Sequence, residues 1–207
     1  MIETMAPDTP LYRVRLTDSN SSLYTSFEEL GPPPRENPGA GRMNPIGISY
    51  FYLSYEQETA LAETVNRPPC MASIGKFCSK GELFYLDLTE LPPTPSIFDR
   101  SRSEEREGLL FLKGFVDAIS KPTEKNGQEH IDYLPSQVVS EYFAQVYRDP
   151  EGRQIAGIAY PSAVRPGGKN LVIFPRNSYE DKWTDRIELT NASGLHLKTW
   201  ADIKNAL

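Results

Sequence analysis

The sequence predicts an α+β fold, a strand-rich core with flanking helices and a long Gly/Pro loop near the N-terminus. Short runs with strand patterning recur along the chain, among them LYRVRL (Leu11–Leu16), ELFYLDL (Glu82–Leu88) and NLVIF (Asn170–Phe174). Two longer stretches, EEREGLLFLKGFVDAIS and PSQVVSEYFAQVYR, carry apolar residues at helical spacing instead. Proline- and glycine-rich connections separate these runs, and strands outnumber helices.

Taken in order, LYRVRL alternates apolar and basic residues, as a half-exposed strand does. From Thr17 to Pro45 the chain is rich in Ser, Asn, Gly and Pro. Proline removes backbone donors and glycine permits positive φ, so this reads as loop. Its length exceeds a usual connection, which points to function, and its scant apolar anchorage suggests a lid that moves on ligand binding. IGISYFYLS follows as a buried strand. YEQETALAETV then reads as a helix, with Leu61 and Val65 at i, i+4 and acidic residues in its first turn. RPP stops it.

ELFYLDL is the next strand, ended by PPTPS. In the following helix Leu109, Leu112, Val116 and Ile119 form one stripe. KPTEKNGQEH separates it from a second helix, in which Val138, Tyr142 and Val146 share one face and Val139, Phe143 and Val146 an adjacent one. QIAGIAYPS and NLVIF are strands joined by the turn-like AVRPGGK. IELTNASGLHLKTWADIKNAL predicts a last strand and a weak terminal helix.

The length of 207 residues suits one domain, with a core over about 11–176 and a strand/helix tail over 177–207. Hydrophobic residues at 39% and charged residues at 24% give a globular balance. No apolar run approaches the roughly 20 residues of a membrane span. Met1–Pro10 has neither the basic nor the apolar region of a secretory signal, which points to the cytoplasm. A net charge of −6 argues against a nucleic-acid footprint, though a few arginines in a pocket can still hold a small anion. Cys70 and Cys78 read as plain reduced thiols. With His130 and His196, which read as surface residues, they are too few and too scattered for a zinc site, and no metal is expected.

Neither a Walker phosphate loop nor a GxSxG elbow is present. What remains is a dispersed polar set: Arg13 in the first strand, Arg42 in the long loop, Tyr52 in the second strand, Glu63 in the helix after it, and Ser136 opening a later helix. Read alone, each has a plain structural explanation. Arg13, Arg42 and Glu63 would be solvated charges and Tyr52 a core residue. Ser136 would be an N-cap whose Oγ satisfies a free amide.

Four blocks in order give the set another meaning. They are LYRVR from Leu11, GRMNPIGISYFYLSYEQETALAE ending at Glu63, YLPSQVVSEYF from Tyr133, and GIAYPSAVRPGGKNLVIF from Gly157. Together they resemble the blocks of RES domains, the toxin components of bacterial RES-Xre toxin–antitoxin systems. The segment between Glu63 and Ser136 looks longer than in short family members, so the chain is similar to the RES modules that end larger proteins.

That resemblance implies an ADP-ribosyltransferase-like fold and an NAD⁺-consuming, toxin-like enzyme that cleaves the nicotinamide–ribose bond. Glu63 is the implied carboxylate beside the ribose. Arg13 and Arg42 are implied for the pyrophosphate, Tyr52 for nicotinamide or ribose, and Ser136 for a hydroxyl, with Ser162 ranked behind it. Gly157 would let backbone or substrate approach closely. No cofactor beyond NAD⁺ as substrate is implied. The partner would be an Xre-type antitoxin or a regulatory domain in cis. Water, phosphate or a protein side chain remains open as acceptor, giving a glycohydrolase, a phosphorylase or an ADP-ribosyltransferase. A non-catalytic nucleotide-binding module is the alternative of another class.

Overall fold

The structure, a computed structural model, describes residues 1–17, 22–34, 38–121, 129–176 and 182–207, with the side chains of 129 and 130 excepted. It is α+β. Among the described residues eight strands form a single sheet: β1 (Ile2–Met5), β2 (Leu11–Thr17), β3 (Phe51–Ser54), β4 (Cys70–Ser79), β5 (Leu83–Asp87), β6 (Gly157–Pro161), β7 (Lys169–Ile173) and β8 (Ile187–Leu197). Their spatial order is β1-β5-β6-β7-β3-β2-β4-β8. Only β5 and β6 run parallel.

Six α-helices flank it among the described residues: α1 (Phe27–Leu30), α2 (Gln57–Thr64), α3 (Ser103–Ser120), α4 (Glu129–Asp132), α5 (Leu134–Glu141) and α6 (Trp200–Ala206). A π-helical turn, Tyr142–Val146, continues α5.

Alternation divides the sheet into two working faces. On β7, Val172 joins Ile158, Tyr50 and Phe174 under α3 and α5, while Leu171 and Ile173 point to the opposite face with Phe51 and Leu53. From α3 the predicted stripe supplies Ile119, Leu112 and Val116 to the first face, and Phe143 and Val139 come from the second helix. Its other apolar row, Val138, Tyr142 and Val146, stays exposed. A third cluster seats α2 and α6 on β2 and β4 through Ala60, Leu61, Ile203, Val14 and Ile74.

Two departures from the sequence reading have physical causes. β4 went unread because it is buried on both faces nearly throughout, so CMASIGKFCS lacks the alternation that marks a half-exposed strand. β8 is the last strand predicted for the tail, and it pairs along β4 from Ile187 to Leu197 as part of the sheet.

The long N-terminal loop is also far from unanchored. Ser26 and Glu29 form a capping box for α1, Leu30 is fully buried, and Phe27 packs edge-on against Phe51 and Phe77 at 6.3 and 5.9 Å. The lid expectation does not fit residues 22–34; residues 18–21 and 35–37 lie outside those described.

One feature of the topology makes room for a site. β2 pairs with β4 over seven positions and β3 with β7 over four, yet β2 and β3 meet at one, Tyr12↔Ser54. The two halves of the sheet therefore diverge at that pair, and a cleft opens there.

Candidate functional site

Two adjoining cavities occupy the cleft. The smaller, about 250 Å³, is lined by β2 and β3 residues including Arg13, Tyr52 and Ser54, and by Glu63, Tyr160 and Asn170. The larger, about 570 Å³, is lined by Gly41, Arg42, Tyr52, Glu63, Tyr133 and Tyr160 among others. Tyr52, Glu63 and Tyr160 belong to both linings and form the wall between them. Four residues singled out in the sequence, from 13 to 63, thus converge.

Glu63 lies near the C-terminal end of α2, exposed at the cavity rim. Its Oε1 accepts two hydrogen bonds of 2.7 Å, from Ser162 Oγ and from Asn170 Nδ2. The helix dipole disfavours a carboxylate at that end, so these donors offset an unfavourable location.

Arg13 is half-buried where the strands part. Its Nη1 donates to Gly31 O at 2.7 Å, and Arg15 Nη2 donates to the same oxygen at 2.8 Å. The Arg13 guanidinium also lies 5.4 Å from the Phe51 ring centroid. Neither arginine makes an ion pair among the described residues, and Arg15 Nε is buried without a partner. Burial, with Arg15 adjacent, holds the Arg13 guanidinium down to about 9, still cationic at neutral pH.

Arg42 reaches the other cavity from a tightly laced loop. Its Nη1 donates to Ile119 O at 2.9 Å at the end of α3, and its guanidinium lies 5.9 Å from the Tyr133 ring centroid. Asn44, buried, donates to Gly39 O and Ile48 O at 2.9 Å each, and Gln137 Nε2 donates to Gly41 O at 2.8 Å. Gly41 is required here: a Cβ on it would sit 2.3 Å from Asn44 Oδ1 and 2.8 Å from the Tyr52 hydroxyl.

Tyr52 donates to Asn44 Oδ1 at 2.8 Å and accepts from Met43 N at 3.2 Å, so its hydroxyl holds the loop while its ring faces the cleft. Burial pushes the Tyr52 phenol up. Tyr160 is likewise pushed up, by burial and then by the charges of Tyr52 and Glu63. Both phenols are therefore neutral near pH 7 and offer ring surface rather than a base.

The remaining assignments are placed differently. Ser136 is not an N-cap: α5 starts at Leu134, and the single proton of Ser136 Oγ is shared between Arg42 O at 2.6 Å and Tyr133 O at 2.9 Å. It is buried and lines neither cavity, so it supports the Arg42 loop from behind.

Ser162, ranked second in the sequence, is the serine that touches Glu63. Gly157 also lies away from the cleft, and its close neighbour is backbone: a Cβ there would be 2.1 Å from Val172 O. His196 is exposed, and the side chain of His130 lies outside those described. Both cysteines are free thiols, and no cluster of three or more His, Cys, Asp or Glu residues gathers among the described residues. None of the described helices is long and apolar enough to cross a membrane.

Tyr160, Asn170, Ser54 and Tyr133 were not singled out in the sequence. The signal for two of them was at hand, since Tyr160 and Asn170 flank the AVRPGGK turn in the block that contains Ser162.

A family model of the RES domain matches residues 10–189. The chain belongs to the RES domain family. That family is associated with NAD-using toxins, so this is a toxin-like, NAD-related module. The match runs from the strand bearing Arg13 through the helix bearing Glu63 to the start of β8, and so takes in every residue of the cleft wall. A search of curated proteins returned no match.

Proposed function

We propose that this RES domain binds NAD⁺ in the cleft and cleaves the bond between nicotinamide and ribose, with water or phosphate as acceptor. The observation that supports it best is the convergence of Arg13, Arg42, Tyr52 and Glu63, from two strands, a loop and a helix, on two cavities that share a wall. Such convergence has no structural necessity in a plain α+β core. The cavity volumes suit a ligand of dinucleotide size, against about 300–1,000 Å³ for small-molecule sites in general.

The chemistry follows from the side chains. As the C1′–N bond breaks, its electron pair leaves with nicotinamide, which departs neutral, and positive charge builds on the ribose. The Glu63 carboxylate stabilises that charge and accepts a hydrogen bond from a ribose hydroxyl, an interaction that strengthens as the charge develops. Water or phosphate then adds to C1′, releasing a proton when the acceptor is water.

Arg13, with Arg15 beside it and no carboxylate paired to either among the described residues, supplies cationic charge for the pyrophosphate, and Arg42 supplies it from the second cavity. The Tyr52 ring stacks against nicotinamide or the ribose edge. Ser162 holds Glu63, and Ser136 holds the Arg42 loop. In this reading the fold is ADP-ribosyltransferase-like, the protein acts in the cytoplasm without a metal or added cofactor, and an Xre-type antitoxin or a neighbouring domain restrains it.

Chromatography after mixing the protein, NAD⁺ and phosphate tests the reading. Nicotinamide with ADP-ribose identifies a glycohydrolase, and ADP-ribose 1″-phosphate a phosphorylase. Label from NAD⁺ on a macromolecule would move the assignment to protein ADP-ribosylation. Tight NAD⁺ binding without any product would leave a nucleotide-binding module.

A further inference from the structure

Asn170 sits on β7, 4% exposed, opposite Ser54 on β3 and Tyr160 on β6. Its amide is used at both ends. Ser54 Oγ, itself 3% exposed, donates to Asn170 Oδ1 at 2.7 Å, and Asn170 Nδ2 donates to Glu63 Oε1 at 2.7 Å. Hydrogen-bond chemistry fixes this orientation: an ionised carboxylate only accepts, so the amino end must face Glu63 and the carbonyl end must take the serine proton. A hydrogen-bonded chain, Ser54 to Asn170 to Glu63, therefore runs from the buried middle of the sheet to the cleft.

The second donor onto Glu63 is set in the same sense. Ser162 Oγ accepts from Val164 N at 3.3 Å and Arg165 N at 3.1 Å, which aligns its own proton with Glu63 Oε1. Both contacts fall on one carboxylate oxygen, and Oε2 has no hydrogen bond among the described residues. Glu63 is otherwise an exposed side chain with three rotatable bonds, which free in solution would sample many rotamers.

We infer that Asn170, oriented by Ser54, is a positioning residue for Glu63: it pins Oε1 so that Oε2 is presented to the ligand at a fixed place. The inference rests on the role assigned to Glu63 above. A positioned charge stabilises a transition state without reorganisation, whereas a displacement of about 1 Å can cost on the order of a hundredfold in rate. Asn170 makes its contribution through Glu63 and touches no reacting atom. The other ionisable groups lining the two cavities are Tyr12 and Arg13 on β2, Tyr52 on β3, Tyr160 on β6, Arg42 on the loop and Tyr133 before α5.

The test compares full-length Asn170→Asp, Ser54→Ala and Glu63→Gln with the wild type. Readouts are kcat, KM, the pH profile of kcat and thermal unfolding. Asn170→Asp keeps the shape but sets two carboxylates against each other, so the pair holds a proton to higher pH. The acid limb of kcat should therefore move up. Ser54→Ala frees the amide without adding charge, and kcat should fall about tenfold with KM nearly unchanged and no shift of the acid limb.

Wild-type kcat in Ser54→Ala, or an unmoved acid limb in a folded and active Asn170→Asp, overturns the inference. Should Asn170→Asp not fold or not turn over, Ser54→Ala decides alone. If Glu63→Gln also turns over NAD⁺ at the wild-type rate, the role of Glu63 fails. If it is inactive while the other two behave as wild type, only the positioning role fails.

Discussion

Ser136 Oγ donates to the carbonyl oxygen of Arg42 at 2.6 Å, tying α5 to a loop 94 positions earlier in the chain. The bond makes a buried helix residue responsible for where a cleft arginine sits. In Ser136→Ala that carbonyl loses a buried donor, at a cost of about 1–3 kcal/mol. Thermal unfolding should show the loss. Steady-state kinetics should show it chiefly as a higher KM for NAD⁺, since the displaced element carries Arg42. A fall in kcat alone would mean that Ser136 acts on the reacting bond instead.

Gly157 is a packing requirement of the sheet. Any Cβ would fall 2.1 Å from the Val172 carbonyl on the neighbouring strand, so β6 and β7 would have to separate. Gly157→Ala should destabilise by about 1–3 kcal/mol or more, as overpacking does, while NAD⁺ affinity of the folded fraction stays unchanged. Denaturant unfolding together with binding at low temperature separates the two quantities.

Arg13 and Arg15 meet on a single carbonyl oxygen, with no carboxylate paired to either among the described residues. A flexible, compact ammonium cannot reproduce a planar donor fork, so Arg13→Lys should weaken NAD⁺ binding about tenfold despite conserving charge. Calorimetric titration at two salt concentrations checks this. Undiminished affinity would remove Arg13 from the phosphate site.

Glu29 links pH to the anchoring of the N-terminal loop. Its Oε2 accepts from Thr25 N at 2.9 Å and Ser26 N at 3.1 Å, and these bonds hold its carboxyl below the ordinary value. Because the folded value is depressed, the stabilisation is present above the unfolded pKa, about 4.3, and is lost as pH falls through the folded one. The difference in thermal midpoint between the wild type and Glu29→Gln should therefore be largest at neutral pH and vanish in acid. A constant difference across that range would show that the cap acts through something other than charge.

The sequence carried the class of fold and the identity of the cleft's charged residues, for physical reasons that also explain what it hid. β2 and α3 were legible because each is half-buried, so its apolar period shows, and α2 because it is built of strong helix formers with an acidic residue in its first turn. β4 is wetted on neither face and shows no period. Arg13, Arg42, Tyr52 and Glu63 were reachable through family blocks, whereas spacing alone gives no hint that residues so far apart in the chain share a cleft.

Ser136 misled because Pro-Ser near a helix start reads as a cap, while the structure begins the helix two residues earlier and turns the hydroxyl to a carbonyl. Asn170 was passed over because a polar residue inside an apolar strand reads as a defect until its two partners, 116 and 107 positions away, are known.

The most direct test of the central claim is nicotinamide release by the wild type and by Glu63→Gln, measured with NAD⁺ affinity and thermal midpoint on the same preparations. Removing the carboxylate's charge should lower turnover by about a hundredfold or more, as loss of one transition-state electrostatic contact does, while affinity and midpoint barely change. Equal turnover by the two proteins, or a wild type that neither binds nor cleaves NAD⁺, would contradict the account.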